Sequence, residues 1–172
     1  ASGTFTVNNG TFADGDTINL AGTGAITVNG LVADLNASTS TGSITVNAVD
    51  DVSITTGSAA TTISETTGFT ATVNAEALAD GTLLTTSGAG SFTISNFLGN
   101  LTNSATGTVQ VTLDDDGLGT PVDSTITNSA ASGTFTVNNG TFADGDTINL
   151  AGTGAITVNG LVADLNASTS TG

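Results

Sequence analysis

Residues 131–172 repeat residues 1–42 without a single change. The chain is therefore a window on a tandem array, with 1–130 as one full unit and 131–172 as the start of the next. Whatever the unit folds into must accept the same sequence again at its end. Repeats within the unit decide between a string of separate domains and a continuous stack of short elements.

Two finer periods lie inside the unit. Ala13-Asp14-Gly15 recurs as Ala79-Asp80-Gly81, and Thr6-Val7-Asn8 as Thr72-Val73-Asn74, which divides the unit into halves near 1–66 and 67–130. Shorter still is a pentapeptide of the form G-x-apolar-T-apolar. It reads GTFTV at 3–7, GAITV at 24–28 and GSITV at 42–46, then FTATV at 69–73, GSFTI at 90–94, GTVQV at 107–111 and GTFTV again at 133–137. These spacings predict coils of about 17–26 residues, three to each half.

A unit that short buries no core alone and must stack. Alternation within each pentapeptide is the strand period of two. Stacking predicts one inward column running Phe5, Ile26, Ile44, Ala71, Phe92, Val109, and an outward column running Thr6, Thr27, Thr45, Thr72, Thr93, Gln110. Asn8, Asn29, Asn47 and Asn74 close their strands, where stacked amides can bond from coil to coil and Asn tolerates left-handed angles. Gly3, Gly24, Gly42, Gly90 and Gly107 open theirs, which predicts corners of unusual backbone conformation. Thr, Ser, Gly and Asn are poor helix formers, and only Ala75–Leu78 suggests even a helical turn. Pro121, beside Gly117 and Gly119, predicts an excursion from the stack. The fold expected is an all-β parallel β-solenoid (a β-helix), continuous through both units. A tandem β-sandwich is the competing arrangement, since 130 residues suffice for one sandwich.

Composition narrows the chemistry. Lys, Arg, His, Cys, Met, Trp and Tyr are absent, and all 15 formal charges are negative. Such a chain repels nucleic acid and anionic membrane surfaces and attracts divalent cations. With no cysteine, no disulfide can form. No apolar run approaches the ~18 residues of a membrane span, and no signal-peptide pattern occurs in the window. Asn9, Asn36 and Asn100 head N-x-S/T sequons, at a frequency that the abundance of Ser and Thr explains.

The acids cluster at Asp14/Asp16, Asp50-Asp51 and Asp114-Asp115-Asp116. Ca²⁺ takes hard oxygen ligands of this kind, so Asp114, Asp115, Asp116, Asp50, Asp51, Asp14 and Asp16 form the candidate metal set. The same residues also suit solvated loops that keep the array soluble. Catalysis has only Asp and Glu to work with. Every candidate recurs along the array, so no enzyme, catalytic residue or required cofactor is expected.

GSITV followed by NAVDDVSITTG at 42–57 resembles the β-helical repeats of giant bacterial surface proteins, of which filamentous-haemagglutinin-like adhesins are the best-known group. The resemblance implies secretion, a fibrous shape, and work as adhesin, sheath or biofilm-matrix fibre. The expected function is a non-enzymatic structural segment of an extracellular fibre, sheath or matrix filament. The alternative is the stalk of a giant cell-surface adhesin whose binding tip lies elsewhere. Expected partners are copies of the chain itself, end to end or side by side, together with divalent cations. No nucleic acid and no membrane insertion are expected.

Overall fold

A computed structural model describes residues 3–115, 117–118 and 121–172. Alternating apolar and hydroxyl side chains give extended segments throughout: β1 (Phe5–Asn8), β2 (Thr17–Gly22), β3 (Ile26–Leu31), β4 (Asp34–Ser40), β5 (Ile44–Ala48), β6 (Val52–Thr55), β7 (Thr61–Glu65), β8 (Thr70–Asn74) and β9 (Leu83–Gly88). The series continues as β10 (Ser91–Phe97), β11 (Asn100–Asn103), β12 (Val109–Leu113), β13 (Asp123–Asn128), β14 (Phe135–Asn138), β15 (Thr147–Gly152), β16 (Thr157–Asn159) and β17 (Asp164–Ser170). Among the described residues there is no helix, and so none long and apolar enough to cross a membrane.

Odd-numbered strands form one nine-stranded parallel sheet and even-numbered strands form an eight-stranded one. Each coil is therefore two strands and two corners. The chain is a β-solenoid flattened between two sheets, with one apolar core running from Ile18 to Ala163. Successive coils stack in register: Ile44 sits on Ile26 and beneath Thr61, and Phe92 lies between Ala71 and Val109. The stack crosses the unit boundary unchanged, with Val109 against Phe135 and Ile126 against Leu150. That continuity is what the alternative of separate sandwiches lacks.

Two expectations need correction. First, the pentapeptides do not make one column. Phe5, Ile26 and Ile44 stack in the nine-stranded sheet, but Thr61 follows Ile44 there. Ala71, Phe92 and Val109 stack in the other sheet. One unit thus holds thirteen strands, β1 to β13, which is six and a half coils rather than six. An odd count has a consequence: the copy of β1 is β14, and it lies in the opposite sheet. Identical sequence is displayed on opposite sides of the rod, so successive units are related by a half-turn about its axis.

Second, the strand-opening glycines from Gly24 to Gly107 answer to crowding rather than to conformation, whereas Gly133, the copy of Gly3, does take a positive φ of 96°. Gly24, Gly42, Gly90 and Gly107 keep negative φ. A Cβ on Gly42 would instead collide with the carbonyl of Gly24, and one on Gly107 with the carbonyl of Gly90. Coils about 4.8 Å apart leave no room there for a side chain. The short turn expected at Ala75–Leu78 is present, closed by Leu78 N–H donating to the Ala75 carbonyl at 2.9 Å. Pro121 does lie in a long connection, between β12 and β13.

Candidate functional site

The site most in need of an account is the acids, because nothing else in the chain carries charge. Corners alternate between two edges of the flattened rod. Turns leading from the nine-stranded to the eight-stranded sheet make the first edge, and turns leading back make the second. Asp14, Asp16, Asp34, Asp50, Asp51 and Glu65 all lie along the first edge. From Glu76 onward every described acid (Glu76, Asp80, Asp114, Asp115, Asp123, Asp144, Asp146, Asp164) lies along the second. Both broad faces between Thr6 and Thr112 are free of exposed charge. The acidic stripe changes edge once per unit, which follows from the half-turn.

The backbone at these corners explains the choice of Asp. Ser53 N–H donates to Asp34 Oδ1 at 2.8 Å, and one coil on, Thr70 N–H donates to Asp51 Oδ1 at 2.7 Å. A carboxylate thus takes up the N–H of the next coil where the sheet ladder breaks off, a charge-assisted bond. Asp14, Asp34 and Asp51 line a shallow open groove of about 360 Å³ with Val52, Ser53, Thr70 and Thr72.

Other acids of the candidate metal set serve their own turns. Asp16 accepts from Ala13 N–H at 2.9 Å, and Asp50 from Asp51 N–H at 2.9 Å. Asp114 Oδ1 accepts from Asp115 N–H and from the Thr141 hydroxyl of the following coil. Asp115 Oδ1 accepts from Gly117 N–H at 3.2 Å. Asp116 lies outside the described residues. Among the described residues no three acidic side chains gather closely enough to hold a metal ion. The structure joins Asp50 to Asp51 and Asp114 to Asp115, brings Asp14 and Asp51 to one groove, and leaves Asp114 and Asp115 on the other edge.

Glu65 is different, being 1% exposed. Its Oε1 accepts from Thr66 N–H at 2.8 Å, while Oε2 is buried without a partner. Ala89 and Gly90 N–H both donate to its carbonyl, and its side chain occupies the space a Cβ on Gly90 would need. Burial raises its pKa above the ordinary carboxylate value; the Thr66 bond opposes that rise, and nearby Asp51 and Asp50 add to it.

Amide and hydroxyl files run from coil to coil, at Asn8, Asn29 and Asn47 as the sequence predicted and at a further place that it did not. Asn47 donates to Asn29 and Asn29 to Asn8, at 3.0 and 3.3 Å, on the outer surface. A second file is buried. Thr86 donates to Asn103 at 2.7 Å, Asn103 to Asn128 at 2.9 Å, and Asn128 to the Ala155 carbonyl at 2.9 Å. Each buried amide is satisfied, which is the condition for placing one in a core. Asn9, the first sequon, is also buried: it donates to Phe12 and accepts from Val32 and Ala33 N–H of the next coil. Outward Thr residues form a column of seven rungs, Thr6, Thr27, Thr45, Thr62, Thr85, Thr102 and Thr127, longer than the pentapeptides alone predict.

Comparison with known proteins found no matching family model, no matching curated protein and no matching solved structure.

Proposed function

We propose that the chain is a length of non-enzymatic structural rod from an extracellular fibre, sheath or matrix filament. What carries the reading is the seam between units. Val109 N–H donates to Thr134 at 2.8 Å and Thr147 N–H to Val122 at 3.0 Å, the same ladder found inside a unit. Adding units lengthens such a rod with no joint, and its stability grows by nearest-neighbour increments. Asp34, Asp51 and Asp114 support the reading as well, since each accepts a hydrogen bond from the following coil. A chain without Lys or Arg offers trypsin no cleavage site, which suits a durable exterior material.

In this reading the partners are further copies of the chain and divalent cations drawn to the acidic edges. The stalk of a surface adhesin would use the same rod, anchored at one end. Electron microscopy of the native material tests the proposal. Rods should lengthen by roughly 31 Å for each 130-residue unit, from six and a half coils at about 4.8 Å. They should also lie in bundles or layers away from the cell. Single rods, each fixed to the cell by one end, would establish the stalk instead.

A further inference from the structure

Stacked coils cover one another's inward side chains and leave the outward ones bare. No further coil of the same rod reaches the broad faces, so whatever covers them must approach sideways. The two faces of the first unit differ in what they offer. Outward on the nine-stranded sheet runs the seven-rung Thr column, with Asn8, Asn29, Asn47, Ser64 and Ser87 beside it in matching register. From β1 to β11 the strands of this sheet hold one acid, Glu65, and it is buried. Leu83 stands on the same face at 43% exposure, with β7 and β11 already paired on either side of its strand. Outward positions of the eight-stranded sheet are mixed instead. Ser53, Thr72, Thr93 and Gln110 follow one another there, and Asp34 heads β4.

Charge decides from which side another copy can approach. Every formal charge is negative, and the described acids sit at the corners. Edge-to-edge contact would set carboxylate against carboxylate, with no cationic side chain to relieve it. Face-to-face contact leaves both acidic edges in water, where salt screens them. Short uncharged side chains on a flat sheet also let two such faces meet at the roughly 10 Å spacing of packed sheets. The area suffices as well. Six and a half coils by about five residues measure roughly 31 by 17 Å. Two copies would then bury roughly 1,000 Å² between them, the lower bound of a specific interface.

The half-turn sets the outcome for an array. The Thr column ends on the nine-stranded sheet where Thr127 meets Ala151. Its copy starts on the eight-stranded sheet, where Thr136 pairs with Thr157. An even strand count would put every such face on one side, and association would stop at a pair of rods. Thirteen strands put it on alternate sides, so each rod meets one neighbour through odd units and another through even ones.

We propose that the Thr face of each unit, with Leu83 on it, docks against the same face of a second copy, and that the odd strand count turns this pairwise contact into layers. The proposal rests on reading the chain as a filament segment, and it specifies the surface that joins filaments. Each contact is weak alone, and many in series along two rods hold by avidity.

Sedimentation at about 0.5 M salt, where the screening length is only a few Å, tests it. Residues 131–172 supply only Thr136 and Thr157 of a second face, so this chain should form dimers, and form them more weakly at low salt. Leu83→Glu puts a like charge on each partner's face and should raise the dissociation constant roughly tenfold or more. Thr93→Glu puts the same charge on the opposite sheet and should leave the constant as in the wild type. Should Leu83→Glu melt early, Thr62→Glu charges the Thr column without removing an apolar side chain. A wild-type chain that stays monomeric overturns the proposal. So does a dimer that the charge on the Thr face leaves intact, or one that Thr93→Glu weakens equally. A rod built by covalent repetition would stand in each case, since its unit seam involves neither face.

Discussion

Residues 1–42 and 131–172 share every side chain, yet they differ in what covers them. Phe5 is 63% exposed and Phe135 is 4% exposed; Leu35 is 2% exposed and Leu165 is 43% exposed. The differences run in opposite directions because, within residues 1–172, the first copy has no coil stacked before its strands and the second has none after. They also sit in opposite sheets. Since sequence and register are held constant, and only β16 is shorter than its counterpart β3, the contrast isolates one quantity, the contribution of the adjacent coil. Each coil has too few residues to enclose anything alone, and burial arrives only with the next one.

The largest effects should therefore be crossed. Phe135→Ala should destabilise the chain by about 3–5 kcal/mol, while Phe5→Ala should cost under about 1 kcal/mol, as at a solvated site. For the Leu pair the order reverses, with Leu35→Ala costing about 2–5 kcal/mol and Leu165→Ala much less. Chemical denaturation of the four variants measures this. Equal losses within either pair would mean that burial does not depend on the adjacent coil.

The glycines sharpen the same comparison at smaller amplitude. Gly10 and Gly140 have φ of 62° and 59°, so alanine is strained equally at both. A Cβ on Gly10 meets only its own coil, at 3.7 Å from the Asn8 carbonyl, whereas one on Gly140 would collide with the Leu113 carbonyl of the coil below. Gly10→Ala should cost about 1 kcal/mol. Gly140→Ala should cost that plus about 1–3 kcal/mol for forcing the coils apart. Thermal melts of the two variants give the difference directly. Equal melting temperatures would show that the stack yields locally, and that coil spacing is less fixed than the sheet ladder suggests.

Why the half-turn escaped the sequence is visible at β7. Thr61 occupies an inward position at 1% exposure beneath Leu84, and a hydroxyl there reads as a surface residue in any apolar–polar alternation. The 26-residue gap ahead of Phe69 accordingly looks like one long coil, when it holds β6 and β7. The similar gap between GTVQV and the next GTFTV is a single coil with a long turn, Val109 pairing directly with Phe135. Coil length and strand identity were legible; which sheet a strand joins was not, because the two sheets carry equivalent patterns. The acids were legible as corner residues. Their acceptors' role, Asp34 to Ser53 and Asp51 to Thr70, depends on neighbours 19 residues away that only stacking brings close.

The smallest effect lies between the copies, at Glu65. Neither copy holds an acid so buried with an oxygen unpaired, so this residue measures what the core costs a carboxylate. Its pKa is raised in the folded chain. Between the ordinary carboxylate value and that raised value, the folded state binds more protons than the unfolded one. Its contribution to stability is thus most favourable at acidic pH and declines as pH rises through the folded pKa. Glu65→Gln keeps an oxygen for Thr66 N–H and removes the buried charge. It should raise stability at neutral pH by a small margin that shrinks as the pH becomes acidic. Melting temperatures of wild type and variant, taken as a difference at each pH, cancel the general repulsion among the other 14 acids. A difference independent of pH would mean that Glu65 reaches solvent when ionised, as a corner breathing between Gly88 and Gly90 would allow. A wild type more stable than the variant at neutral pH would overturn this account and mean that the buried charge is compensated within the folded chain.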